Sequence, residues 1–367
     1  MRFKPIAAVA AVAVAGGLGV AACGSSDSNN DSTGSSSGGK TQVAVLLPDS
    51  KSSSRWENQD RKFLQQAFDK AGVKATIVNA EGDAAAQRTQ AEQAITNGAK
   101  VLLLVNLDSG SGSAIIANAN KQGVKVIDYD RLTLKGNSDY YVSFDNTKVG
   151  KLQGQGLADC MKNVKGGTVA TLNGSPTDNN ATLFAQGYNS VLDPLYKDGT
   201  LKKGPDQSVP DWDNQQALTI FEQMLQKTSN NIQGVLAAND GLGNAAISAI
   251  KARKLAKIPV TGQDATAQGI QNILSGYQCM TVYKAVKKEA DAAAALAIAL
   301  AKGTTPPATT ATTDNGTKKV PSVLLTPVAV NAQNIKTQGK QIIDDQFLTR
   351  AEICQGQYAA LCTKAGL

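Results

Sequence analysis

The sequence predicts an α/β architecture of two doubly wound units in tandem, each with a mainly parallel sheet. Three observations predict it. Short apolar runs alternate with amphipathic stretches from Thr41 onward, the pattern of strands and helices in turn. Glycine follows the amphipathic stretches at Gly72, Gly98 and Gly123, where a helix ends in a left-handed turn that glycine adopts without strain. The alternation then starts afresh beyond Tyr140–Phe144, and 367 residues are ample for two cores.

Taken in order, Val43–Leu47 reads as a strand and Trp56–Lys70 as a helix. Lys74–Val78, Ala84–Thr96, Val101–Val105 and Ser113–Lys121 continue as strand, helix, strand and helix. The next apolar run, Val124–Ile127, leads into Tyr129-Asp130-Arg131. In the second unit, helices are expected at Lys148–Met161, Ala181–Tyr196, Gln215–Lys227, Asn244–Lys254 and Gln268–Leu274. Strands are expected there at Thr168–Leu172, Gly234–Ala238, Ile258–Thr261 and Met280–Tyr283. An alanine-rich helix runs on to Ala301, a Thr/Pro-rich loop spans Gly303 to Lys319, and Ser322–Val330 reads as one more strand. From Asp344 onward the chain reads as an appendage on a complete pair of domains.

Met1–Pro5 is basic and Ile6–Val20 is apolar and small, as in a secretory signal peptide. The apolar stretch is short for a membrane span. Val20-Ala21-Ala22-Cys23 has the form of a bacterial lipobox, so cleavage before Cys23 and lipidation of its thiol are expected. The Gly/Ser/Asn/Asp tract that follows, to Lys40, suits a flexible tether. Four further cysteines, Cys160, Cys279, Cys354 and Cys362, suggest two disulfides in an oxidising compartment. Three pairings are open; Cys354 with Cys362 would staple the tail and leave Cys160 with Cys279. No Cys-x-x-Cys spacing points to zinc. Histidine is absent, which removes Ser-His-Asp and Cys-His catalysis and the commonest metal ligand. The +7 charge is dispersed, with no basic block for nucleic acid.

Ligands of open α/β sheets bind at the carboxyl ends of the strands. There the chain places Lys51, Arg55 and Trp56, then Asp130 and Arg131, then Asp178-Asn179-Asn180, Trp212, Asn239-Asp240, Gln263-Asp264 and Lys284. Both tryptophans of the chain belong to this set. Carboxylates, amides and guanidinium groups grip neighbouring hydroxyls, and indole rings cover apolar C–H faces, so the set suits a neutral sugar. Each member also has a plainer use. Asp178, Asn180 and Asn239 precede helices and suit capping, and the tryptophans suit a core. Gly241-Leu242-Gly243-Asn244-Ala245-Ala246 follows a strand as a dinucleotide loop would, but no acidic residue ends the next strand.

The segments KSSSRWENQD, VIDYDR, VSFDNTKVGKLQ, NGSPTDNNATLF, AAND, TGQDA, MTVYK and VPSVLLTPVAV resemble the xylose-binding and multiple-monosaccharide-binding proteins of ABC sugar importers. The resemblance implies the type I periplasmic-binding-protein fold: two Rossmann-like domains joined by a three-strand hinge, crossing near Ser143, Tyr283 and Leu325. It divides the chain into a leader (1–22), lipidated Cys23 with its linker (23–40), a first lobe (41–143 plus 284–322), a second lobe (144–283 plus 323–345) and a tail (346–367). The sugar ligands it implies are Arg55, Asp130, Arg131, Asn180, Asn239, Asp264 and Lys284, with Trp56 and Trp212 as lining aromatics. It further implies a tethered monomer that captures a monosaccharide, D-xylose first, for membrane permease subunits, without cofactor or metal. A sensor role is compatible with this. A glycosidase using Asp130 and Asp264 as its carboxylate pair and a repressor lacking its helix-turn-helix are the rival classes.

Overall fold

Residues 42–367 are described by the computed structural model; the leader, Cys23 and the tether lie outside the described residues. The first sheet is built from the Val/Leu-rich runs β1 (Val43–Leu47), β2 (Ala75–Asn79), β3 (Val101–Leu104), β4 (Lys125–Tyr129) and β5 (Tyr140–Phe144). With β10 (Ala311–Asp314) and β11 (Lys319–Leu325) it runs in the order β10-β11-β5-β4-β3-β1-β2. All pairings are parallel except β10 with β11.

Side chains alternate along a strand, so this sheet fills two cores. Ala44, Leu46, Leu102 and Leu104 pack on one face against Ile95 of α2 (Ala84–Thr96) and Ile115 and Ile116 of α3 (Ser109–Lys121). Val43, Val45, Leu47 and Leu103 face the other way. They meet Phe63, Leu64 and Phe68 of α1 (Arg61–Lys70) and the alanines of α9 (Val286–Lys302). Burial on both faces explains why β1 and β3 read as continuous apolar runs.

The second lobe holds a smaller parallel sheet in the order β7 (Leu201–Ser208), β6 (Gly167–Asn173), β8 (Gly234–Ala237). Around it pack α4 (Asn146–Met161), α5 (Asn179–Lys197), α6 (Asn214–Lys227) and α7 (Asp240–Ala252). Helix α8 (Ala267–Leu274) precedes β9 (Met280–Tyr283), which pairs antiparallel with β12 (Val328–Asn331). The chain passes between lobes three times: from β5 into α4, from β9 into α9, and between β11 and β12. The fold is thus two α/β domains joined by a three-strand hinge.

Several elements differ from the sequence expectation. β7 has no apolar run because it is an edge strand, largely exposed, with Gly204 and Pro205 in its middle. The Thr/Pro-rich loop contains β10, another exposed edge. The run Ser322–Val330 is two strands, since Thr326-Pro327 interrupts it. The segment 258–261 contributes only an isolated bridge from Val260 to Val235, with Pro259 unable to donate. The helix expected from Trp56 begins with a π-helical turn, Trp56–Asp60.

The tail is integral to the fold. Phe347, Leu348, Ile353, Cys354 and Cys362 are buried in the same core as α1 and α9. They are joined through α10 (Ile335–Asp344), α11 (Arg350–Ile353) and α12 (Ala359–Ala365). Gln59 donates to the Phe347 carbonyl and Gln271 to those of Glu352 and Ile353, all at 3.1 Å. The disulfides are Cys160–Cys279 and Cys354–Cys362, the pairing in which the second staples the tail. No helix among the described residues is long and apolar enough to cross a membrane.

Candidate functional site

Between the lobes, the carboxyl ends of β1, β4, β6 and β8 converge with the start of α9 on one pocket. Its lining includes Arg55, Trp56, Asp130, Arg131, Asn180, Trp212, Asn239, Asp264 and Lys284. Its empty volume, mouth included, is about 320 Å³. Asp130, Trp212 and Asp264 hold positive φ values of 61°, 56° and 95°. Such conformations are strained for these residue types and cluster where function requires a side chain to be aimed. At Gly174, just after β6, any side chain would collide with the Trp212 indole, so the glycine is what lets that ring in.

Arg55 is the structural centre. Its guanidinium donates to both oxygens of Asp60 at 2.8 and 2.7 Å, to Glu289 at 2.6 Å and to Asp130 at 2.9 Å. The Tyr129 hydroxyl adds a 2.6 Å bond to Asp60. Burial works against the Arg55 charge, but the three carboxylates outweigh it and raise its pKa further. Behind Arg55, burial raises the carboxyls of Asp60 and Glu289 despite its attraction. The guanidinium carbon lies 4.5 Å from the Trp56 ring centre, and that of Arg131 lies 5.7 Å from it.

Asp130 also accepts from Asn180 at 3.1 Å and lies 3.6 Å from the Lys284 ammonium. Burial alone would raise its pKa, but Lys284, Arg55 and Arg131 bring it down to about 2. Lys284 reaches Asp264 as well, at 3.5 Å. Arg131 pairs with Asp178 at 3.1 Å, and the Trp212 indole donates to that same carboxylate at 3.1 Å. Capping and site duties coincide here. Asp178 caps α5 through the Asn180 N–H, and Asn239 caps α7 while its amide lies 3.4 Å from the Ser52 carbonyl.

Lys51 stands apart from the others. It is exposed and borders the wider groove at the cleft mouth rather than the pocket. Ser52, Ser53 and Phe184 complete the lining beyond the residues singled out from sequence. Glu289 and Asp60 support it from behind. Glu289 lies 234 positions from Arg55, so no local pattern could have linked them. No group of histidine, cysteine, aspartate or glutamate side chains among the described residues forms a metal cluster. The pocket instead offers cationic donors, carboxylate and amide acceptors and two indole faces, a set complementary to a polyol.

Comparison with known proteins agrees with this chemistry. The family model "Periplasmic binding protein domain" matches residues 43–305. A D-xylose-binding periplasmic protein of Haemophilus influenzae is 39% identical over 300 residues, which is 82% of this chain and 88% of that protein. The multiple sugar-binding periplasmic receptor ChvE of Rhizobium radiobacter is 36% identical over 313 residues, covering 80% of this chain and 88% of the receptor. Among solved structures, an ABC transporter solute binding protein from Clostridium phytofermentans with bound β-D-glucose superposes with a TM-score of 0.79. Its identity is 30%, over 85% of this chain and 99% of that one.

Proposed function

The chain belongs to the periplasmic binding protein domain family, and on that premise we propose that it is an exported, lipid-anchored receptor for a monosaccharide, with D-xylose preferred. It captures the sugar by hinge closure and presents it to the permease subunits of an ABC importer; no bond is made or broken. The observation that carries the reading is the buried constellation of Arg55, Asp130, Arg131, Asn180, Asp264 and Lys284 in a pocket that Trp56 and Trp212 also line. Trp56, Trp212 and Asn239 share in holding the sugar, whereas Lys51 serves the cleft mouth. The relatives named for D-xylose support the pentose, and the lipobox before Cys23 supports the anchor.

A broader monosaccharide range is the second reading, favoured by the 36% identical multiple-sugar receptor and by the glucose-bound structure. Both are tested by thermal unfolding of the detergent-solubilised full-length chain with a panel of pentoses and hexoses. A ligand at a hundred times its dissociation constant should add about 2.7 kcal/mol of stability. A shift with D-xylose alone supports the first reading and shifts with several sugars the second. No shift with any monosaccharide would overturn both.

A further inference from the structure

We propose that Gln263 is a direct sugar-contacting residue, its side-chain carbonyl accepting a hydrogen bond from one hydroxyl of the bound monosaccharide. The inference rests on the sugar-receptor reading above. Gln263 lines the pocket and is only 3% exposed. It immediately precedes Asp264, whose strained backbone aims it into the cleft. The Gln263 backbone carbonyl is already used by the Asp240 N–H at 2.9 Å, which fixes the residue in place. Its side chain, by contrast, is hardly engaged. The amide nitrogen reaches the Ala238 carbonyl at 3.5 Å, the edge of a useful bond, and Oε1 is buried with no partner. Turning the amide over does not help, because a carbonyl would then face the Ala238 carbonyl.

A buried amide oxygen without a donor is costly, and native proteins rarely leave one. Among the described residues that line the pocket, the only other fully buried polar side-chain atom without a hydrogen bond is Arg131 Nε, and it is charge-paired with Asp178 at 3.1 Å. Gln263 Oε1 is therefore the one fully buried, uncharged acceptor among these lining residues that the protein itself does not use.

The chemistry of a sugar calls for one. Arg55, Arg131 and Lys284 give the pocket an excess of donors, yet each sugar hydroxyl also carries a hydrogen that needs an acceptor. Asp130 and Asp264 are engaged by those cations, and the Asn180 and Asn239 carbonyls are taken by Asn146 and by the Leu242 N–H. A neutral, unengaged carbonyl at Gln263 completes the set.

The test uses the full-length chain in detergent and calorimetric titration with D-xylose and D-glucose, then with monodeoxy derivatives of whichever binds. Gln263→Met keeps the volume and removes the amide. It should weaken the best sugar by about tenfold or more, the loss expected for one buried hydrogen bond. The melting temperature of the sugar-free variant should be unchanged or higher, since an orphaned polar group is gone. One deoxy position that penalises the wild type should carry no further penalty in the variant. Affinity within twofold of wild type would overturn the assignment. So would affinity and sugar-free stability falling together, which marks a merely structural side chain. If wild type binds no sugar at all, the receptor reading itself has failed.

Discussion

Asp130 shows how the pocket manages charge. Its carboxyl is held at about 2, with Lys284, Arg55 and Arg131 outweighing burial, while an unfolded aspartate titrates near ~3.9. Between those values the unfolded chain binds more protons than the native one, so stability rises with pH. The contribution is present in full above about pH 4 and is lost as pH falls through about 2. Its size is roughly 2–3 kcal/mol. Asp130→Asn cannot respond to pH, and it strands cations in the pocket. We expect it to be less stable than wild type at pH 6, with the gap narrowing by roughly 2 kcal/mol towards pH 2 in urea unfolding curves. A gap that does not change with pH would mean that the surrounding cations do not hold this carboxylate ionised. Asp130 and Arg131 were legible in the sequence because they close an apolar run at a strand end. Asp60 and Glu289, which hold Arg55 in place, were not. One is hidden inside a helical stretch, and the other sits in an alanine-rich helix whose partner is remote in sequence.

Among the elements, the α4–α5 pair has the most exacting geometry. A side chain at Gly150 would strike the Phe184 carbonyl, and one at Gly187 would strike the Thr147 carbonyl and the Lys151 backbone nitrogen. The two helices therefore touch backbone to backbone, and α5 carries Asp178 and Asn180 at its N-terminal end. Gly187→Ala must push the helices apart. It should cost about 1–3 kcal/mol in chemical unfolding, as overpacking does, and weaken sugar binding by displacing Asn180. A variant that unfolds and binds like wild type would show that the crossing is not tight. Helix α5 itself was plain from its apolar spacing, but nothing in a single sequence says which helix a glycine faces. The edge strands β7 and β10 escaped for a related reason. With little of either strand buried, neither period nor composition marks them. The tail was misjudged because its short helices bury isolated residues, Ile353 and Cys362 among them, rather than a periodic face.

For the whole molecule, the decisive feature is that the lobes are already bonded across the cleft. Asp130 meets Asn180, Arg131 meets Asp178, Ser53 lies 3.4 Å from Asp264, and Thr177 donates to the Leu107 carbonyl at 3.3 Å. This is a closed arrangement, and on the proposed mechanism a sugar enters when the lobes part about the hinge. Opening returns these ionic groups to water, which offsets much of the cross-lobe attraction. On that mechanism the open and closed forms differ by little, and a ligand that bridges the lobes shifts the population towards closure by its differential affinity. Small-angle X-ray scattering on the detergent-solubilised chain, with the micelle matched out by solvent contrast, should therefore show a smaller radius of gyration at saturating sugar. The same sample without sugar should fit only a mixture of open and closed forms. An unchanged radius, in a sample whose calorimetric titration proves binding, would mean that the sugar enters a permanently closed cleft and that hinge closure is not how this receptor signals occupancy to its permease.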